Sequence, residues 1–286
     1  MDLVNTIVQG TLLGGLYALY AAGLSLIFGV MRLINLAHGD LIVLAAFVLL
    51  SVVAAFGLPL PVALMLILPF AFAFGWALQR FLLNRTLGDD ILLPLLVTFG
   101  LQIVIQNGLL VVFSADSRKL SLGPIETSSI EVLGLAVGVV PLITFGVAVV
   151  VLGVLSYIFY GTALGRRLRA TSDSTEVVQL MGINPRNVFA IAMGMSFVVL
   201  TIAAFFMGVR SNFDPSVGPA RLLYAFEAIV IGGLGSLWGT LVGGIILGVA
   251  QSVGARINPE WQLLAGHLVF LAFLLLRPRG LFPKQK

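Results

Sequence analysis

The sequence predicts an all-α fold, a polytopic transmembrane helical bundle of about seven to nine membrane segments, and three observations carry that prediction. First, 59% of the residues are hydrophobic and only 10% charged, with a mean hydropathy of +1.11, outside the range of soluble domains. Second, several apolar runs reach the roughly 20 residues that a helix needs to cross hydrocarbon. Third, the short alternating segments of a membrane β-barrel are missing. One transmembrane domain over residues 1–286 is expected, with a cytoplasmic helix within 161–185. The net charge of +4 fits basic loops on the cytoplasmic side better than a nucleic-acid partner. The absence of cysteine excludes a disulfide framework, thiol chemistry and iron–sulfur ligation. Two histidines, His38 and His267, are too few for a haem or metal enzyme.

The first span covers residues 3–30. Its first basic residue, Arg32, follows it, which argues for a retained span and an N-terminus outside. Gly10, Gly14, Ala18 and Ala22 recur every four residues, giving a small-residue face for close helix packing. Residues 32–40, RLINLAHGD, then interrupt the apolar pattern with Asn35, His38, Gly39 and Asp40. Asn35 or Asp40 can cap the second span, which runs to about Phe56; the alternative is a hinge or gate. A third span, 61–78, ends at Arg80 and Arg85, and a fourth covers 91–113. In the fourth, Gln102 and Gln106 share a face, to bond neighbouring helices or line a polar path.

Residues 114–131 form a polar loop of nearly balanced charge, suited to the outside. A fifth span is expected over 132–160 and a sixth over 188–209. Between them lies 161–185, GTALGRRLRATSDSTEVVQLMGINP, the longest charged segment. It opens with Arg166, Arg167 and Arg169. Asp173 is expected to cap a short helix, with Glu176 three residues on reaching back to it. That helix carries Val177, Val178, Leu180 and Met181 and stops at Gly182, with Pro185 beyond. Two readings are open, a docking surface or a solvated connecting helix.

In the last third, Ala228, Gly232, Ser236, Thr240, Gly244, Gly248 and Ser252 form an unbroken four-residue repeat, with Gly235, Gly239 and Gly243 on an adjacent face. Glycine gives up about 1 kcal/mol of helix propensity relative to alanine, so this density needs a return. Close packing is one return; a break or re-entrant turn near Gly232, Gly233 and Gly235 is another. Glu227 precedes the break. A carboxylate at mid-bilayer costs roughly 2.5–3.5 kcal/mol and marks a functional site; the alternative places Glu227 at the outer interface, paired with Arg221 or Arg210. His267 reads as a packed or interfacial histidine. The final span, 261–276, ends in Arg277, Arg279, Lys284 and Lys286, a cytoplasmic anchor. From an outside N-terminus, residues 222–257 must leave and return on one side, giving seven or nine crossings.

Three stretches, in order, carry a resemblance that extends over essentially the whole chain. GLSLIFGVMRLINLAHGDLIVLAAF (23–47) resembles the signature of the branched-chain amino-acid ABC permeases, the LivH-like branch; STEVVQLMGIN (174–184) resembles their coupling segment, and FEAIVIGGLGSLWGTLVGG (226–244) their C-terminal motif. The resemblance implies a permease subunit of a binding-protein-dependent ABC importer in a bacterial inner membrane, for branched-chain or other hydrophobic amino acids. It implies as partners a second homologous permease, two ABC ATPase subunits and a periplasmic substrate-binding protein. ATP and Mg would be bound on the ATPases, leaving this chain without a cofactor and without enzyme activity. The implied coupling residues are Arg169, Asp173, Glu176, Val177, Met181 and Gly182; Val177 and Val178 stand where alanines are usual. The path or gate residues, read from the sequence pattern itself, are Asn35, His38, Asp40, Glu227, Gly232, Gly233 and Gly235.

The residues themselves agree that ATP is handled elsewhere. None of the three lysines follows a glycine, so the chain has no phosphate loop of the G-x-x-x-x-G-K-[ST] type. An ATP-independent secondary transporter or channel would need coupling carboxylates deep in the membrane, for which only Glu227 and Asp40 qualify. An intramembrane enzyme is disfavoured by scarce histidine and scattered acids. Within the ABC reading, urea, amides or small carboxylates are alternative substrates.

Overall fold

Helix α1 (Asp2–Met31) is the post around which the other elements pack. At 30 residues it is about 45 Å long, and most of its apolar length is buried. In the computed structural model, which describes residues 2–87, 92–132 and 135–282, its small-residue face meets α10 (Leu237–Ile257) antiparallel. A Cβ added at Gly10 would stand 2.6 Å from the Val249 Cα, and one at Gly14 2.5 Å from the Ile245 Cα. Both glycines are therefore replaced by nothing larger without moving a backbone.

Among the described residues, seven helices are long and apolar enough to span a membrane: α1, α2 (His38–Phe56), α3 (Leu60–Phe81), α4 (Leu92–Phe113), α5 (Val139–Gly161), α8 (Pro185–Arg210) and α10. Two short helices, α6 (Ala163–Asp173) and α7 (Thr175–Leu180), connect α5 to α8. The remaining two, α9 (Gly218–Gly232) and α11 (Trp261–Leu276), have 15 and 16 residues, or about 22–24 Å, short of a full hydrocarbon core.

Contacts along α1 fix where the short helices lie. Arg210, at the end of α8, donates to the Leu12 carbonyl in the N-terminal half of α1. The start of α9 abuts Gly39 and Asp40, and the neighbouring His38 bonds the Tyr20 carbonyl at the middle of α1. The break after α9 reaches Gly29, near the C-terminal end of α1. Helix α10 runs back along α1, and α11 returns beside it, with Gly254 against Trp261 and Ala265, and Gly266 against Gln251. The Leu281 and Phe282 amides then bond the Ile231 and Gly232 carbonyls. Residues 222–257 thus leave and return as two passes, with α9 starting at half-depth. Of the two passes, α10 has the length of a full span and α9 does not.

Helix α2 also starts at half-depth. Residues 32–37 climb from the end of α1 back to the level of Tyr20 without helix, so the N-termini of α2 and α9 meet inside the bundle. On the other flank, α3 and α8 pack antiparallel through Gly75 against Phe197 and Gly194 against Phe72. Gln79 and Asn84 complete that seam: Gln79 donates to Asn84 at 3.0 Å, and Asn84 to the Arg186 carbonyl at 3.1 Å. Helices α3, α4, α5 and α11 turn apolar faces outward, as lipid-facing or partner-facing helices do.

Two expected boundaries shift, and one expected face divides. The fifth span begins at Val139, because residues before it form an antiparallel hairpin, β1 (Ser129–Val132) with β2 (Leu135–Gly138), registered Ser129 to Gly138. The alternation of Ser-Ile-Glu-Val favours a pleated edge over a helix start. The sixth begins at Pro185: Asn184 accepts the Arg186 amide at 3.0 Å, and proline occupies the first turn, where its missing N–H costs nothing. The four-residue repeat of small side chains is no single helical face, since positions 233–236 are non-helical. Within α10 its members Gly244 and Gly248 face α1, while the adjacent row, Gly239 and Gly243, faces α9. Ile91, Lys284 and Lys286 lie outside the described residues.

Candidate functional site

Residues 161–185 build a compact face at the end of the bundle where α1 terminates. Thr162 caps α6 by accepting the Gly165 amide at 3.1 Å. Ser174 caps α7, accepting the Val177 amide at 3.3 Å. The expected cap, Asp173, is instead the last residue of α6; the extended backbone at Ser174 (φ −153°) places the hydroxyl one residue later at the helix start. Glu176 then falls in the first turn, where its charge favours the positive helix end.

Helix α7 is anchored by Val178, buried at 1% exposure, while Val177, Leu180 and Met181 are 55%, 89% and 72% exposed. Gly182 ends it with a φ of +79°, a left-handed conformation that glycine adopts without strain. Asp173 and Glu176 are exposed beside this apolar tip. Arg169, expected among the coupling residues, faces inward. It is half-buried, donates to the Phe159 carbonyl and lies over the Phe159 and Tyr160 rings at 5.9 and 5.4 Å. It therefore clamps α6 to the end of α5, a stacking role suited to a planar guanidinium.

A second site lies where α2 and α9 begin. Asn35, His38 and Asp40 are all fully buried. Asn35 accepts the Ala37 amide at 3.1 Å and so holds the turn into α2. Neither it nor Asp40 is the cap: Ala37 occupies that position, with no side-chain cap bond. The Nε2 of His38 lies 2.8 Å from the Tyr20 carbonyl. An oxygen there can only accept, so Nε2 carries the proton. Both Asp40 carboxylate oxygens lack a partner among the described residues. Gly39 and Gly218 let the two helix starts touch backbone to backbone.

Glu227 lies on α9, its side chain 1% exposed, with Oε1 2.5 Å from the Nδ1 of His267 on α11. The outer-interface pairing with Arg221 or Arg210 is thus replaced, and His267 is the partner of an acid. Six residues beyond Glu227, the glycine break takes φ of +108° at Gly233 and +79° at Gly235, with Gly232 packed on Gly239. The structure puts Glu227 on the helix that runs into the break, and Asp40 against the start of that same helix.

Sequence reasoning missed a third cluster. Tyr17 and Tyr20 on α1 face Tyr224 on α9, with the Tyr17 and Tyr224 rings 5.0 Å apart, and the Tyr17 hydroxyl lies 2.5 Å from Gln251 of α10. Arg210 and Arg221 stand within electrostatic reach of Tyr17 and Tyr20. The available signal was two tyrosines three residues apart on a helix otherwise apolar or small, and a lone glutamine in α10.

Outside the bundle core, residues 114–131 are tied to the α8–α9 connection through paired backbone bonds of Arg118 and Phe213. Glu126 bonds the Lys119 ammonium at 2.7 Å and the Leu122 amide at 2.6 Å, and these partners hold its carboxyl below the usual carboxylate range. Among the described residues, no group of three or more potential metal ligands exists.

Comparison with known proteins gives a consistent assignment. The family described as "Branched-chain amino acid transport system / permease component" matches residues 6–276. The chain is 29% identical to the high-affinity branched-chain amino acid transport system permease protein BraD of Pseudomonas aeruginosa, over 99% of this chain and 96% of that protein. It is 26% identical to the corresponding LivH of Escherichia coli, over 97% and 94% of the two chains. Among solved structures, PsaBC from Streptococcus pneumoniae in complex with Fab shares the fold at a TM-score of 0.51 and 14% identity, over 95% of this chain and 91% of that one.

Proposed function

The chain belongs to the family of branched-chain amino acid transport permease components, and from that premise we propose that it carries branched-chain or other hydrophobic amino acids across a bacterial inner membrane as half of a permease pair. A second, related permease, two ABC ATPases and a periplasmic binding protein complete the complex in this reading. ATP and Mg are handled on the ATPases. The N-terminus faces the periplasm, and α6, α7 and the C-terminus face the cytoplasm.

The observation that carries the coupling assignment is the tip of α7. Leu180 and Met181 are the two most exposed large apolar side chains of a helix that is itself held rigidly by Val178, Ser174 and Gly182. An apolar tip rimmed by Asp173 and Glu176 has the form of a plug for a groove on another protein. Motion of the ATPases would enter through α7 and α6, pass along α5 and α8, and reach the junction of α2 with α9. At that junction two helix starts touch backbone to backbone, and at its other end α9 runs into the glycine break, features that suit a gate. Substrate choice would rest mainly on the binding protein.

Reconstituted complex should take up leucine only with ATP and binding protein present. Uptake that proceeds equally without ATP would transfer the chain to the secondary-transporter class.

A further inference from the structure

The last carbonyls of a helix have no partner within it, and those at the end of α1 are met from two directions. The Phe28 carbonyl accepts the Arg32 amide at 2.9 Å, where the chain turns through a left-handed φ of +53°. The next carbonyl, that of Gly29, accepts the Ser172 hydroxyl at 2.9 Å. Ser172 is the penultimate residue of α6, and Ser174 just beyond it caps α7. A side chain of the coupling face thus caps the helix around which the bundle packs.

Gly29 also touches the glycine break. A Cβ added at Gly29 would stand 3.4 Å from the Gly235 Cα, and one added at Gly235 would stand 3.1 Å from the Gly29 Cα. The facing glycines therefore bring α1 and the break into backbone contact. Gly235 holds a φ of +79°, and the adjoining Ser236 caps α10 by accepting the Gly239 amide at 3.1 Å. On the other side of the break, the Ile231 and Gly232 carbonyls that end α9 receive the Leu281 and Phe282 amides, each at 3.0 Å. One set of contacts therefore runs from α6 through Gly29 to the point where α9 gives way to α10. Packed contacts of this kind transmit displacement because they do not compress. A break with left-handed glycines at 233 and 235 is where a helix pair re-aims with least strain.

We propose that Ser172 is a positioning residue for transport: its hydroxyl ties the coupling face to Gly29, and Gly29 passes the motion of α6 to the glycine break. The link reaches α9 at the end opposite its junction with α2, by a route separate from α5 and α8. It rests on the permease reading and adds to it the residue through which the cytoplasmic face holds α1.

The test compares wild type, Ser172→Ala and Ser172→Thr in the complete complex, reconstituted in liposomes with its ATPases and binding protein. Leucine uptake and ATP hydrolysis are measured together, and their ratio is the readout. Ser172→Ala should keep the ATPase and its hydrolysis while uptake per ATP falls about threefold to tenfold, the range one hydrogen bond supplies. Ser172→Thr, which restores the hydroxyl, should return the ratio towards wild type. A cap that only stabilised α1 would lower the unfolding midpoint of Ser172→Ala and leave the ratio alone, and that result overturns the proposal. Hydrogen exchange on the same samples tests the link without reference to transport. Peptides carrying the Ser236 and Gly239 amides, which close the turn into α10, should exchange faster in Ser172→Ala. The Gly57 amide, bonded to Val53 at the far end of α2, should not change. Unchanged exchange at Ser236 and Gly239 overturns the link whatever the uptake. A wild-type complex that takes up no leucine with ATP would retire the permease reading, and exchange alone would then decide whether Ser172 holds the break.

Discussion

The side chain of Glu227 is nearly sealed from solvent, yet its one described partner, His267, lies 2.5 Å away on a different helix and is 39% exposed. The pair joins α9 to α11 just before the glycine break. The second carboxylate oxygen of Glu227 has no partner among the described residues, so the acid depends on the histidine.

Glu227→Gln keeps an oxygen that can accept from His267 and should fold normally. Transport should fall, because the variant removes the charge. His267→Ala should be the more damaging for stability, leaving a buried carboxylate alone at a cost of about 3–5 kcal/mol. A scan of unfolding midpoints beside uptake rates separates the two. Wild-type uptake in Glu227→Gln would remove the acid from the path.

The junction of Gly39 with Gly218 predicts a steric effect. A methyl group at either position meets backbone of the opposite helix. Gly39→Ala or Gly218→Ala should therefore separate α2 from α9, costing about 1–3 kcal/mol by overpacking and lowering uptake. Gly100, which a Cβ would leave in open space, is the control. Gly100→Ala should leave both readouts unchanged.

At the break, Gly233 has φ of +108° and is contacted by the Phe282 backbone. A side chain there is both strained and crowded, so Gly233→Ala should cost roughly 1–3 kcal/mol and uncouple the C-terminal tail from α9. Accelerated amide exchange at Leu281 and Phe282, whose amides bond α9, would report it.

Much of this arrangement was legible in the sequence. Apolar runs located the spans, the Gly10–Gly14 spacing exposed the helix-packing face, and the density of glycine after Glu227 located the break. These are local signals, written in spacing. What escaped depends on partners far along the chain. Tyr17 meets Gln251 234 residues away, and Glu227 meets His267 across 40, so neither pairing has a periodicity to read. The cap at Ser174 instead of Asp173 turned on one extended residue between two helices, and the half-depth start of α2 on a bond from His38 to the backbone of α1. Asn35, His38 and Asp40 stood out as polar residues in an apolar stretch; which of them holds the turn, and which is left without a partner, required the neighbouring helix.

Helix α7 is proposed to transmit force from an ATPase, and the variants Leu180→Asp and Val178→Asp divide its surface from its anchor. The most direct measurement is purification of the tagged chain from its native membranes, followed by quantification of the bound ATPase subunit and its ATP hydrolysis. Wild type should retain an ATP-hydrolysing subunit. Leu180→Asp should lose it with the chain's own unfolding midpoint unchanged, because that side chain is 89% exposed. Val178→Asp should lower the midpoint itself. Full retention of the ATPase by Leu180→Asp, or its absence from wild type, would contradict the account.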